Sequence, residues 1–181
     1  MPPEHTRDPN AVIEYPNRDK ASSKTVKLIV VLLLLVSAAL ITVVALGGWE
    51  ALQGAKILTV AYVLLYVLLA FFIIRWRSGM LPVAAALAII MLIFAAVSGP
   101  EWFARDKEGF TDTSLAPEML GLITLIIVPV QLLLIAFAMS GFRQNWQTEV
   151  ERRRDEPRGD YDDDDRSTRD RGRGSVAMGP A

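Results

Sequence analysis

Leu28–Leu46, LIVVLLLLVSAALITVVAL, runs for nineteen residues without a charge. At about 1.5 Å per residue such a helix spans roughly the 30 Å hydrocarbon core of a bilayer. A secretory leader is the alternative reading, because Lys24 and Lys27 precede the run and Ala45-Leu46-Gly47 has a small-x-small pattern. The long polar lead-in and the length of the run favour a membrane helix instead.

Three further apolar segments follow: Ile57–Ile74, Leu81–Ser98 and Met119–Ser140. Gly47-Gly48-Trp49-Glu50 ends the first segment, Arg75-Trp76-Arg77-Ser78-Gly79 the second and Gly99-Pro100 the third. The spans 28–46, 57–74, 81–98 and 119–140 predict an all-α, polytopic, antiparallel bundle of four transmembrane helices within residues 27–141. The five-residue turn after the second segment predicts that the third lies antiparallel beside it. All four tryptophans, Trp49, Trp76, Trp102 and Trp146, fall near proposed helix ends, as interface anchors would.

Residues 1–26 carry prolines and charges without periodicity and read as a flexible cytoplasmic arm; residues 142–181 read as a polar cytoplasmic tail, disordered beyond about 155. The segment Gly141–Arg154 could extend the fourth helix. Lys20, Lys24, Lys27, Arg75, Arg77, Arg143 and Arg152–Arg154 lie on one side of the four crossings, against Lys56, Arg105 and Lys107 on the other. The positive-inside rule therefore predicts both termini in the cytoplasm, with the plasma membrane as the expected location.

Composition removes several chemistries. The chain has no cysteine and one histidine, His5, so thiolate catalysis and clustered Cys/His metal sites are excluded within one copy, and no cofactor is expected. The net charge of −1 and an acidic tail give no ground for a nucleic-acid partner. Asp162–Asp165 lacks the ligand spacing of an EF-hand loop, and no phosphate loop or nucleophile elbow is present.

Within the apolar segments the polar features are sparse. Pro129 and Gln131 lie near the middle of the fourth, Tyr62 and Tyr66 are four apart on the second, and Glu118 stands at the outer mouth of the fourth. These five form the candidate intramembrane polar site. Pro129 leaves the Leu125 carbonyl without its helical donor, which the Gln131 amide could supply. Ala84, Ala88 and Ala95, at spacings that permit close helix approach, together with Trp102 and Phe103, form the candidate partner surface.

The carboxylates of the segment 101–118 read as an ordinary charged turn, and a lipid-active enzyme built on them is the third reading. The leading reading is a non-enzymatic integral membrane subunit that stabilises or regulates a larger membrane assembly. It would contact the lipid bilayer and either another integral membrane protein or a second copy of itself. The alternative is a small oligomeric transporter or channel built around the fourth helix.

Overall fold

The computed structural model describes residues 11–105, 113–146 and 148–153. In chain order these form β1 (Ala11–Glu14), the short α1 (Pro16–Asp19), α2 (Ala21–Gly47), a 3-10 turn (Gln53–Ala55), α3 (Lys56–Ile74), α4 (Met80–Ala104), α5 (Pro117–Arg143) and β2 (Val150–Arg153). Helices α2 to α5 are long and apolar enough to cross a membrane, and the all-α four-span architecture holds. Leu28, Leu46, Ile57, Leu64, Ile93 and Leu132 remain exposed, as expected of side chains whose solvent is lipid.

Several boundaries differ from the sequence reading. Residues 11–26, assigned there to a flexible arm, contain β1, α1 and the first turns of α2. Pro100 does not end the third span: α4 runs through it to Ala104. In lipid, the alternative to a helix is a run of unsatisfied backbone groups, so a proline costs one hydrogen bond and the helix continues. α5 stops at Arg143 and does not extend through Trp146, because Asn145 takes a left-handed conformation (φ 45°) and the chain turns back. It then forms β2, which pairs antiparallel with β1 in the register Ala11↔Arg153 and Glu14↔Val150. The two ends of the bundle domain therefore meet at one end of the bundle, its terminal end. The tail beyond 153, expected to be disordered past about 155, lies outside the described residues.

The packing order is α3–α2–α5–α4. α4 packs chiefly on α5, and α2 packs on both α3 and α5. α3 and α4 touch little despite the short turn that joins them, which corrects the expectation that the second and third spans are close neighbours. The reason lies in the small residues of α4. Leu81 meets α5 at Gly141 and Gly99 meets it at Leu125, where an added Cβ on Gly99 would stand 2.7 Å from Leu125 Cδ2. Ala84, Ala88 and Ala95, on the stripe between, are buried. A small-residue face allows two backbones to approach, and dispersion contacts then hold α4 to α5.

Candidate functional site

Because α3 and α4 diverge, a cavity of about 400 Å³ opens between them in the half of the bundle away from the terminal end. Leu58 and Tyr62 of α3, Met91, Phe94 and Trp102 of α4, and Ile127 of α5 line it. Leu58, Phe94 and Val97 at its rim are exposed, so the gap opens sideways between α3 and α4. Among the described residues the lining is mostly apolar, with Glu101 as its one carboxylate and Arg105 as its one cation. Glu101 rides on the part of α4 that continues past Pro100, and Arg105 caps its end. Trp102, between them in sequence, is buried against Gly48, where a Cβ would come within 2.5 Å of its indole Cη2. The Arg105 guanidinium stands 5.6 Å from the Trp102 ring centroid.

A second polar feature lies deeper. The Tyr66 hydroxyl of α3 donates to Gln131 Oε1 of α5 at 2.9 Å, and Gln131 Nε2 donates to Ser37 Oγ of α2 at 3.0 Å. The Ser37 hydroxyl donates in turn to the Leu33 carbonyl at 2.7 Å. All three side chains are fully buried. The chain of bonds ties three helices together and leaves no member without a partner, which suits a structural clasp in a low-dielectric interior.

The sequence-derived candidates thus separate. Tyr66 and Gln131 come together. Tyr62 belongs to the cavity instead, its ring edge-on to Tyr66 at 5.9 Å and to Phe94 at 6.4 Å. Pro129 is exposed, and the Gln131 amide is spent on Ser37 rather than on the Leu125 carbonyl. Glu118 is exposed in the first turn of α5, where a carboxylate favours the helix N-terminus. Of the candidate partner surface, Ala84, Ala88, Ala95 and Trp102 are buried within the chain, so they pack the protein against itself. Phe103 is half exposed and covers Gly121. Ser37 is the member that sequence reasoning did not place, and Glu101 was read only as one of the carboxylates of the segment 101–118. Glu101 sat in an assumed loop, and a lone serine in an apolar run resembles any other that bonds its own helix.

At the terminal end, aromatic and basic groups close the bundle. Trp146 is fully buried, edge-on to Trp76 at 5.4 Å, and Lys27 Nζ lies 3.7 Å from the Trp76 ring centroid. Arg18 Nε donates to the Trp146 carbonyl at 3.1 Å, and Asn17 Nδ2 donates to that of Asn145 at 3.2 Å. Trp102 and Trp146 are therefore packing residues rather than the interface anchors expected of them.

The apolar stretches 28–46, 57–74, 81–98 and 119–140 contain no carboxylate, and the described acids at the loop end are Glu50, Glu101 and Glu118. Among the described residues no group of three or more acids and histidines forms a metal site. No curated protein and no solved structure matches the chain. A family model described as signal-peptide peptidase, presenilin aspartyl protease, matches residues 7–149. That match overturns the expectation of a non-enzymatic subunit, and its transporter alternative, because it points to an enzymatic intramembrane protease. The matched residues take in all four membrane-spanning helices, and the chain belongs to the signal-peptide peptidase and presenilin aspartyl protease family.

Proposed function

We propose that the chain is an intramembrane protease that admits a membrane-spanning peptide sideways between α3 and α4 and attacks it at the Glu101 end of the cavity. The observation that carries the reading is the laterally open apolar cleft with Glu101 in its lining. An apolar peptide can enter it without leaving lipid, and the carboxylate supplies the acid–base group that hydrolysis requires.

Aspartyl-type hydrolysis uses two carboxyl groups that share one proton. One takes a proton from water as the oxygen attacks the peptide carbonyl, and the other protonates the carbonyl oxygen. Glu101 fills one of these roles. Among the described residues the cleft lining holds no second carboxylate; in this reading the pair is completed from elsewhere at the loop end or by a partner in the membrane, either another integral membrane protein or a second copy. The basic residues at the terminal end, Lys20, Lys24, Lys27, Arg75, Arg77 and Arg143, support a cytoplasmic position for that end, with the cleft toward the opposite face of the plasma membrane.

Purified protein in liposomes, given a labelled transmembrane peptide, tests the reading. Wild type cleaves, and Glu101→Gln lowers the rate by about 100-fold or more, the scale of a general acid–base group, with helix content unchanged. A bell-shaped pH dependence of kcat/KM reports two acids acting together. Absence of cleavage by wild type, or full activity in Glu101→Gln, overturns the assignment.

A further inference from the structure

Among the described residues the cavity is lined by four hydroxyl side chains, and three of them are spent on their own helices. Thr59 donates to the Ala55 carbonyl at 2.9 Å, Ser98 to Phe94 at 2.7 Å and Thr124 to Leu120 at 2.7 Å. Tyr62 is different. The residue is buried, 5% exposed, and its hydroxyl has no partner among the described residues, whereas that of Tyr66 one turn along is bound to Gln131. A phenol cannot reach the carbonyl one turn back along its own helix, as serine and threonine do, so its hydroxyl needs an acceptor from outside α3. Buried polar groups without a partner are uncommon, and they mark places where the acceptor arrives with something else.

We propose that Tyr62 is a substrate-binding residue, its hydroxyl donating to a main-chain carbonyl oxygen of the peptide held in the cleft. This rests on the reading of the cleft as a peptide site. A lipid acyl chain would fill the same apolar walls but offer no acceptor at that depth; a peptide backbone carries one at every residue. The ring is fixed by its edge-on contacts with Tyr66 and Phe94, which leave the hydroxyl as the variable part.

Tyr62→Phe keeps the ring and removes only the oxygen. In nanodiscs of phosphatidylcholine, affinity for a fluorescent Leu/Ala transmembrane peptide drops by about three- to tenfold, the worth of one hydrogen bond. The melting temperature of the peptide-free variant stays equal to wild type or rises, because an unpaired buried hydroxyl has been removed. A purely structural hydroxyl gives the opposite pattern, with lower melting temperature and unchanged affinity, and that result overturns the proposal. So does a wild-type protein that fails to bind the peptide. Cleavage by wild type with unchanged affinity in Tyr62→Phe removes this inference and keeps the protease reading; weakened binding in the variant without cleavage by either protein does the reverse.

Discussion

Gln131 and its neighbours show how much one polar side chain decides at the scale of a residue. Its amide bridges Tyr66 and Ser37, so three helices share one hydrogen-bonded network. Replacing Gln131 with Leu leaves Ser37 bonded to its own helix but strands the Tyr66 hydroxyl in an apolar interior. The expected cost is about 1 kcal/mol, within the range of polar contacts between membrane helices. The double variant Tyr66→Phe/Gln131→Leu recovers most of that loss, since no unpaired hydroxyl then remains. Unfolding in mild detergent measures both, and a double variant no more stable than Gln131→Leu alone contradicts the account. The pairing of a tyrosine with Gln131 was legible because both are conspicuous in apolar segments. Which tyrosine, and the part of Ser37, depended on helix rotation that spacing does not define.

Among the elements, the junction of α3 and α4 carries the most local information. The Trp76 amide donates to the Ile73 carbonyl at 2.9 Å and the Arg77 amide to that of Phe72 at 3.2 Å, a Schellman ending for α3. The left-handed position that this motif usually gives to glycine is held by Trp76, at φ 61°. The contacts of its ring with Lys27 and Trp146 offset the unfavourable backbone. The strands β1 and β2 were not legible, because four residues with no alternation carry no periodic signal, and their partners are over a hundred positions apart. Tyr15, next to β1, donates to Glu149, next to β2, at 2.9 Å. That hydrogen bond, followed by desolvation and the Glu149 charge, raises the Tyr15 pKa above its ordinary 10.0. The sign follows: the bond strengthens the β1–β2 junction at neutral pH and is lost as pH rises through the raised value. Tyrosinate absorbance of wild type minus that of Tyr15→Phe is expected to titrate above 10.0, and Glu149→Gln is expected to move it back toward 10.0. A Tyr15 titration that ignores Glu149→Gln would show that the contact is not formed in solution.

For the whole molecule, four spans were legible from hydropathy alone, since only helices and closed barrels satisfy the backbone in lipid. The order of the helices around the bundle was not. Adjacency in sequence suggested that α3 and α4 pair, yet the alanine and glycine stripe of α4 fits α5 more closely, and the divergence that results opens the cleft. The place of Glu101 in the cleft lining was less legible still, because it follows a proline and looked like part of a loop. If the gap between α3 and α4 is the peptide's entrance, bridging it stops catalysis without touching Glu101 or Tyr62. The chain has no cysteine, so Leu58→Cys on α3 and Val97→Cys on α4 provide the sole thiols, both at the exposed rim. A short bifunctional maleimide containing a disulfide should join them and block both cleavage and binding of the transmembrane peptide, and reduction of the linker should restore both. Each single-cysteine protein, capped with a small maleimide, should retain activity, which separates closure of the gap from damage to its walls. A linked protein that still binds and cleaves at the wild-type rate would place the entrance on another face and leave the divergence of α3 and α4 without a part in substrate entry.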